Sequence, residues 1–184
     1  MAIADRAPRR LITVDAADGR SHALSDGPVQ DVLRDPARPG FALYRVWATD
    51  RSPAVALAAR EIESMAQSLG APAGGSVFRI LVLPPDASWH DRVTRAEVEA
   101  WFRAAGSPEA CCSEAQARHP YMQHSRTLDL CVVLEGEATL VLDAGEVTLA
   151  PSDTVVQRAA RHAWSNRGAR PCVIAISSHD ARIG

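Results

Sequence analysis

The chain has 184 residues, of which 47% are hydrophobic, and its 20 basic and 22 acidic residues give a formal net charge of -2. A chain of this length usually forms one domain with a sizeable core. The near balance of charge argues against a nucleic acid partner, and no segment approaches the roughly 20 apolar residues that span a bilayer. The N-terminal segment lacks the apolar stretch of a secretory signal, so we expect a cytoplasmic protein without membrane contact.

The N-terminal half alternates short strands with turns. Segments 11–14 and 20–25 flank a polar turn and predict a hairpin. Two further strands are predicted at 41–47 and 78–83, and the second stops at a pair of prolines. Arg79 is the only charge in that strand, and the sequence leaves open whether it faces the interior, where it would bind an anionic group, or solvent.

Two helices are predicted, one between these two strands and one after them. The first begins at Ser52 and Pro53, and its apolar face would hold Val55, Ala58, Ile62, Met65 and Leu69. The second has Thr94 as its N-cap and Glu97 three residues later, which completes a capping box. Its apolar residues recur at helical spacing and predict a face that packs on the rest of the protein.

A series of short strands follows residue 126. The run from Thr127 to Gly136 is apolar and rich in β-branched residues, and residues 137–143 alternate polar with apolar side chains. Together these two segments predict a hairpin. Two more short strands are predicted at 146–149 and 154–157. Strands and turns at this pace indicate a closed sandwich or barrel.

The end of this region resembles the cupins, which are small jelly-roll β-barrels with a ligand or metal site inside the barrel. His162 and Asn166, with Ala-Trp-Ser between them, match the end of the second cupin motif. In the first motif, the acidic residue falls on Asp129, the second histidine on His124, and the position of the first histidine is held by Met122.

Other parts of the chain resemble a group of uncharacterised single-domain cupins of similar length. The shared phrases include Ser-Asp-Gly-Pro at 25–28, Tyr-Arg-Val-Trp-Ala-Thr-Asp at 44–50 and Gly-Ser-Val-Phe-Arg at 75–79. In many of those relatives the alignment places a histidine on Gln123 and an arginine on His124. His124 is therefore either a site residue or a surface residue that replaces another basic side chain.

The resemblance implies a mainly β fold, a single cupin jelly-roll β-barrel with an N-terminal strand extension and two accessory helices. Residues 1–117 would supply the strands and helices that pack on the barrel, and residues 118–184 the barrel core, within one structural domain overall. In many cupins the N-terminal strands cross to a second subunit, which implies a homodimer. The alternative is that these strands extend the chain's own sheet.

The resemblance also makes His124, Asp129 and His162 the candidate metal ligands. Two imidazoles and one carboxylate are sufficient to hold one divalent iron, manganese, nickel or zinc ion with positions open for substrate. A barrel without metal is the alternative, because the first motif has lost a histidine to Met122.

Asp129 and His162 are also the candidate catalytic residues. Asp129 stands just before an apolar run, so we expect its carboxylate to be buried and paired, with Thr127, His162 or a nearby arginine as partner. If the two side chains face each other, they form an acid/base pair that could move a proton on an enolisable or phenolic substrate.

Five further residues are predicted to bind the ligand: Gln123, Gln157, Met122, Arg79 and Tyr121. The two amides can both donate and accept hydrogen bonds, which suits a phenol, carbonyl or carboxyl group. Tyr121 and the nearby His119 either close the mouth of the pocket or are exposed loop residues, and we expect the second.

Two classes of function remain. The first is an enzyme of cyclase, decarboxylase, isomerase or dioxygenase type that acts on a small, possibly aromatic or polyketide-like molecule inside the barrel. The second is a metal-free small-molecule binding or sensor protein without catalysis. A DNA-binding regulator is disfavoured, because the sequence has no helix-turn-helix pattern and no basic helix.

Overall fold

The computed structural model describes residues 2–56, 65–112 and 114–182, and these residues form a mainly β protein. They contain twelve strands and one α-helix: β1 (Arg9–Asp15), β2 (Ser21–Pro28), β3 (Val32–Arg34), β4 (Ala42–Thr49), β5 (Ser76–Leu83), α1 (Arg95–Ala104), β6 (Gln123–His124), β7 (Thr127–Glu135), β8 (Ala138–Leu142), β9 (Gly145–Leu149), β10 (Thr154–Arg158), β11 (Arg161–Ser165) and β12 (Cys172–Asp180). None of the helical segments in these ranges is long and apolar enough to cross a membrane.

The strands form two large sheets and one hairpin. The six-stranded sheet has the order β10-β7-β12-β5-β4-β3, and the four-stranded sheet has the order β6-β11-β8-β9. Apolar side chains from both sheets and from α1 form the main core between them. This arrangement is the jelly-roll barrel that the sequence predicts.

Strand β7 shows how the sequence divides its side chains between core and surface. Thr127, Asp129, Cys131 and Val133 are buried, and the residues between them are more exposed. Successive side chains of a strand point to opposite faces of the sheet, so this alternation turns Asp129 toward the barrel interior. Its position inside the barrel therefore follows from the register of one strand.

The predicted hairpin of β7 with β8 is wrong. Strand β7 pairs with β10 and β12, whereas β8 pairs with β9 and β11, so the chain crosses from one sheet to the other between them. Gly136 lies at the crossing with a φ of 74°, and a Cβ atom there would be 2.7 Å from the carbonyl oxygen of Pro171. The glycine makes a corner of the barrel and not a hairpin turn.

Helix α1 begins as the sequence predicts. The Thr94 hydroxyl oxygen accepts a hydrogen bond from the Glu97 amide at 3.3 Å, and the Glu97 carboxylate accepts one from the Thr94 amide at 2.7 Å. Trp101 and Phe102 are buried on its inner face, and the Trp101 ring meets the Phe41 ring edge-on at 5.5 Å. The first predicted helix spans residues 52–69; its described ends, 52–56 and 65–69, are not helical, and residues 57–64 lie outside the described residues.

The predicted N-terminal hairpin is present as β1 and β2, which pair from Arg9 with Pro28 to Asp15 with Ser21. Strands on both sides of residue 117 share the six-stranded sheet, because β5 pairs with β12 along its whole length. The division of the chain at residue 117 stays a prediction.

Candidate functional site

The barrel contains a cavity of about 630 Å³ whose wall comes from both large sheets, from α1 and from the loops beside them. This volume is typical of pockets that take small organic molecules. One part of the wall is polar and includes Arg79, Gln123, Asp129, Gln157, His162 and Ser178. Another part is apolar and aromatic and includes Phe41, Leu43, Leu81, Trp101, Phe102 and Trp164. The cavity therefore suits a molecule with an apolar body and a polar group.

Three polar residues of the wall stand in register across the six-stranded sheet. Gln157 of β10 is the partner of Asp129 of β7, and Asp129 is the partner of Ser178 of β12. The Asp129 carboxylate accepts hydrogen bonds from the Thr127 hydroxyl at 2.6 Å and from the Gln157 amide nitrogen at 3.2 Å. The expectation that Asp129 is buried and has Thr127 as a partner is confirmed.

His162 approaches the same amide from the opposite sheet. Its Nδ1 lies 3.1 Å from the Ala160 carbonyl oxygen and 2.9 Å from the Gln157 amide nitrogen. Its Nε2 lies 3.0 Å from the Gln123 amide nitrogen and 3.1 Å from the Gln157 amide nitrogen. Burial lowers the pKa of His162, against the opposing effects of the Ala160 carbonyl and the Asp129 charge. The imidazole is therefore neutral near pH 7.

Gln157 brings the two candidate catalytic residues together and still has one unused atom. Its amide nitrogen contacts both Asp129 and His162. Its amide oxygen is buried and has no hydrogen-bond partner among the described residues. A buried acceptor without a donor costs about 1–3 kcal/mol, so this oxygen favours a hydrogen-bond donor in the cavity.

The two neighbours on β6 face in opposite directions. Gln123 pairs with His162 and its amide contacts the imidazole, whereas His124 pairs with Arg161. Because strand side chains alternate, His124 cannot join Gln123 on the inner face, and its side chain is exposed, although the residue borders the cavity. The histidine that the first motif would supply from position 124 is thus replaced on the inner face by an amide.

The three predicted metal ligands do not come together. No group of three or more His, Cys, Asp or Glu side chains in the described parts of the chain is placed to hold a metal ion. The atoms available for ligation also have other partners, because His162 Nε2 lies 3.0 Å from the Gln123 amide nitrogen and both Asp129 oxygens accept hydrogen bonds. The residues of the cavity therefore do not fit the predicted iron, manganese, nickel or zinc centre.

Arg79 faces the interior, which answers the question that the sequence left open. Its side chain is 5% exposed, and Nη2 donates to the backbone carbonyls of Ser68 and, at 3.4 Å, Gly70. Burial lowers its pKa to about 10, and the charge of Asp129 acts in the opposite direction. The guanidinium keeps its positive charge at neutral pH.

Tyr121 and Met122 lie on opposite sides of the barrel wall. Tyr121 lines the cavity, and its hydroxyl donates to Asp35 Oδ2 at 2.7 Å, while burial raises its pKa. Met122 does not border the cavity and packs in a separate cluster with Cys112, Val141 and Ala163. The next residue along the strand, Gln123, faces inward, so alternation sends Met122 outward.

The expected exposure of His119 and Tyr121 is wrong, because they are only 3% and 4% exposed. The Tyr121 amide donates to His119 Nδ1 at 3.1 Å, and the Trp89 ring meets both of their rings edge-on. Packing against residues 86–90, about thirty positions earlier in the chain, covers this loop. No local pattern in the sequence encodes that contact.

Sequence reasoning also missed Arg38, which lies in the loop between β3 and β4 and lines the cavity. Its neighbours in the sequence, Pro36 and Pro39, mark a loop, and loop arginines are usually exposed. The nearby aromatic residue Phe41 is the only local sign that the side chain has a stacking partner.

A comparison with protein families agrees with the barrel and with the strands that form its polar wall. Residues 111–178, from just before β6 to most of β12, match the family model of the cupin domain. This part of the chain therefore contains a cupin domain. No curated protein sequence matches it significantly.

Solved cupin structures resemble the chain only distantly. The cupin domain of Schizosaccharomyces pombe Cnp3 has a TM-score of 0.46 at 7% identity, with 94% of this chain and 88% of that chain covered. A putative ethanolamine utilization protein Q from Salmonella typhimurium LT2 has a TM-score of 0.45 at 8% identity, with 96% and 98% covered. A Cupin 2 conserved barrel domain protein from Salinispora arenicola CNS-205 has a TM-score of 0.39 at 14% identity, with 81% and 82% covered. Similarity at this level says nothing about ligand or activity.

Proposed function

We propose that this cupin binds a small organic molecule with an aromatic body inside its barrel, and that it needs no protein-held metal to do so. The observation that carries the proposal is the buried Gln157 amide oxygen, which has no partner among the described residues, in a residue that lines a cavity of about 630 Å³. A hydroxyl or N–H group of the ligand would donate to this oxygen.

The hydrogen bonds around Gln157 support binding as the main role. Gln123 and Gln157 both present amide nitrogens to His162, and Gln157 also donates to Asp129. These contacts fix the side chains before a ligand arrives, which reduces the entropy lost on binding. The aromatic side chains Trp101 and Trp164 would enclose the apolar body of the ligand.

Tryptophan fluorescence offers a direct test, because Trp101 and Trp164 line the cavity. We expect substituted phenols to bind wild-type protein with saturable changes in emission, and the Gln157→Met variant to bind them about tenfold more weakly. The corresponding methyl ethers, which cannot donate to the amide oxygen, should bind both proteins equally. Gln30→Met, which alters an exposed glutamine, is the matched control. Equal phenol affinity in a folded Gln157→Met variant would refute the assignment of Gln157.

The metal-free part of the proposal has its own test. Phenol affinity should change by less than about twofold when protein stripped with a chelator is supplied with iron, manganese, nickel or zinc, because the donor atoms of His162 and Asp129 already have hydrogen-bond partners. Elemental mass spectrometry of the same samples reports the bound metal. A stoichiometric metal that is required for binding and is lost in His162→Ala would overturn this part.

An acid/base enzyme is the second candidate function. It is favoured by one observation, the contact of a single amide nitrogen with both the Asp129 carboxylate and the His162 ring. A bound phenol or enol would meet a neutral imidazole and a carboxylate on the same wall, and the two could exchange a proton with it. If this candidate function is correct, wild-type protein converts a molecule bound in the cavity to product and the His162→Gln variant does not.

The cytoplasmic location and the homodimer are also proposals.

A further inference from the structure

Arg38 is a buried cation that the polar wall around Gln157 does not use. It is 4% exposed and lines the same cavity from the loop between β3 and β4. The loop folds back on itself there, since the Arg38 amide donates to the Asp35 carbonyl at 3.1 Å. This short turn brings the side chains of both residues into the barrel.

The carboxylate of Asp35 pairs with Arg38 through the Nε atom and leaves Nη2 without a partner in the described ranges. Arg38 Nε donates to Asp35 Oδ2 at 2.7 Å. The same carboxylate accepts from the Tyr121 hydroxyl at 2.7 Å and from the Ala37 amide at 3.0 Å, so its negative charge is shared among three donors. Arg38 Nη2 has no hydrogen-bond partner in the described ranges of the chain.

Aromatic rings fix the orientation of the guanidinium. Its central carbon lies 3.8 Å from the centre of the Phe41 ring, 3.5 Å from that of Tyr121 and 4.8 Å from that of Trp101. Stacking of this kind and the single bond to Asp35 hold the group without engaging Nη2. If Arg38 had only a structural role, its Nη2 would remain a buried donor without an acceptor, which is unfavourable.

The two buried arginines of the cavity wall differ in how fully their donors are used. Among the described residues that line the cavity, the buried charged side chains are Arg38, Arg79 and Asp129, and Asp35 beside Arg38 supplies a second buried carboxylate. Arg79 is further engaged by the carbonyls of Ser68 and Gly70, whereas Arg38 keeps a free nitrogen.

We propose that Arg38 anchors a carboxylate of the ligand, so that the cavity takes an aromatic acid that also bears a hydroxyl group. The inference rests on the proposed function and adds the class of molecule to it. The carboxylate accepts from Arg38 Nη2, the ring packs among Phe41, Trp101 and Tyr121, and the hydroxyl donates to the Gln157 amide oxygen. Guanidinium is suited to the first of these contacts, because its planar N–H groups match a carboxylate.

The test compares 4-hydroxycinnamate with its methyl ester, which keeps the ring and the hydroxyl and loses the negative charge. Titration calorimetry at pH 7.5 should show that wild-type protein binds the acid at least tenfold more tightly than the ester, as a charge-assisted hydrogen bond requires. Arg38→Met should lose this preference and bind the two ligands equally. Arg34→Met, which removes an exposed arginine four residues away, should retain it.

In Arg38→Met the Asp35 carboxylate becomes a buried charge without its cation, which lowers the stability of the folded protein. The double variant Asp35→Asn with Arg38→Met removes both charges and should show the same loss of preference in a folded protein. Equal affinity of wild type for acid and ester, or a preference that survives in either variant, overturns the role of Arg38. If phenols bind while neither cinnamate does, the inference fails and the proposed function stands; if no aromatic ligand binds, both fail.

Discussion

His119 is a buried, neutral side chain whose ring lies beside those of Trp89 and Tyr121. Desolvation, together with His90, Arg38 and Arg167, lowers its pKa to about 3. In the unfolded chain the same imidazole titrates near 6.5, so the unfolded state takes up a proton as the pH falls below that value and the folded state does not. The contribution to stability is complete above pH 6.5 and is lost as the pH falls toward 3.

This difference predicts a pH-dependent stability that one substitution removes. Between pH 7.5 and pH 5, His119 should lower the free energy of unfolding of the wild type by about 2 kcal/mol. His119→Gln keeps a polar side chain that cannot titrate, and its loss of stability over the same interval should be smaller by that amount. Urea unfolding at the two pH values measures both proteins. The same loss in wild type and variant would show that His119 titrates normally in the folded state.

The sequence shows which site residues are polar. It shows less well which face of the sheet each of their side chains occupies. The motif identified Asp129 and His162, and the amide chemistry of Gln157 marked it as a ligand-binding residue; the three meet at the Gln157 amide. It did not separate Gln123 from His124, because the two differ by a single position of a two-residue strand and local pattern does not fix that register. Arg38 was missed because two of the rings around its guanidinium, Trp101 and Tyr121, are far away in the sequence.

At the scale of elements, Gly136 marks the crossing between the two sheets and should be intolerant of any side chain. In Gly136→Ala, the Cβ atom would meet Pro171 and Cys172 as well as the strain of a φ of 74°. We expect a loss of about 3 kcal/mol in the free energy of unfolding. Gly19→Ala is the matched control, because Gly19 has a φ of 77° and no atom within 4 Å of the added Cβ, so strain alone should cost about 1 kcal/mol. Equal losses in thermal or urea unfolding would contradict the close contact at the corner.

Most elements were predictable because their signals are local. Alternation marks β7, and the capping box marks the start of α1. The pairing of elements was less accessible, since β7 and β8 are adjacent in sequence and separate into different sheets. Which strands pair depends on how the whole apolar surface is closed, and a turn that looks like a hairpin can equally form a barrel corner.

For the molecule as a whole, the homodimer that the family resemblance implies has a candidate surface. The outer face of the six-stranded sheet carries Phe78, Leu130 and Val156 in one cross-strand row through Ser177, and these three side chains are 38%, 47% and 62% exposed. Exposed apolar residues grouped on one face of a sheet indicate an interaction surface.

We therefore expect wild-type protein to be a dimer in solution and the double variant Leu130→Lys with Val156→Lys to be a monomer, as measured by light scattering after size-exclusion chromatography. Lysine would place uncompensated charge in the buried centre of such an interface. Val147→Lys, at a half-exposed position of β9 in the other sheet, should leave the dimer intact. A monomeric wild type at micromolar concentration would reject the homodimer, and a dimeric double variant would place its interface elsewhere.

The cavity wall is formed by residues from two parts of the chain. Its Asp129, Gln157 and His162 come from the stretch that matches the cupin family model, whereas Arg38 and Trp101 come from the segments before it. Substitutions in the earlier segments can therefore change the size and charge of the molecule that fits, while Asp129, Gln157 and His162 stay unchanged. New ligand preferences can evolve in this barrel, or be engineered into it, without any alteration of the motif by which the family is identified.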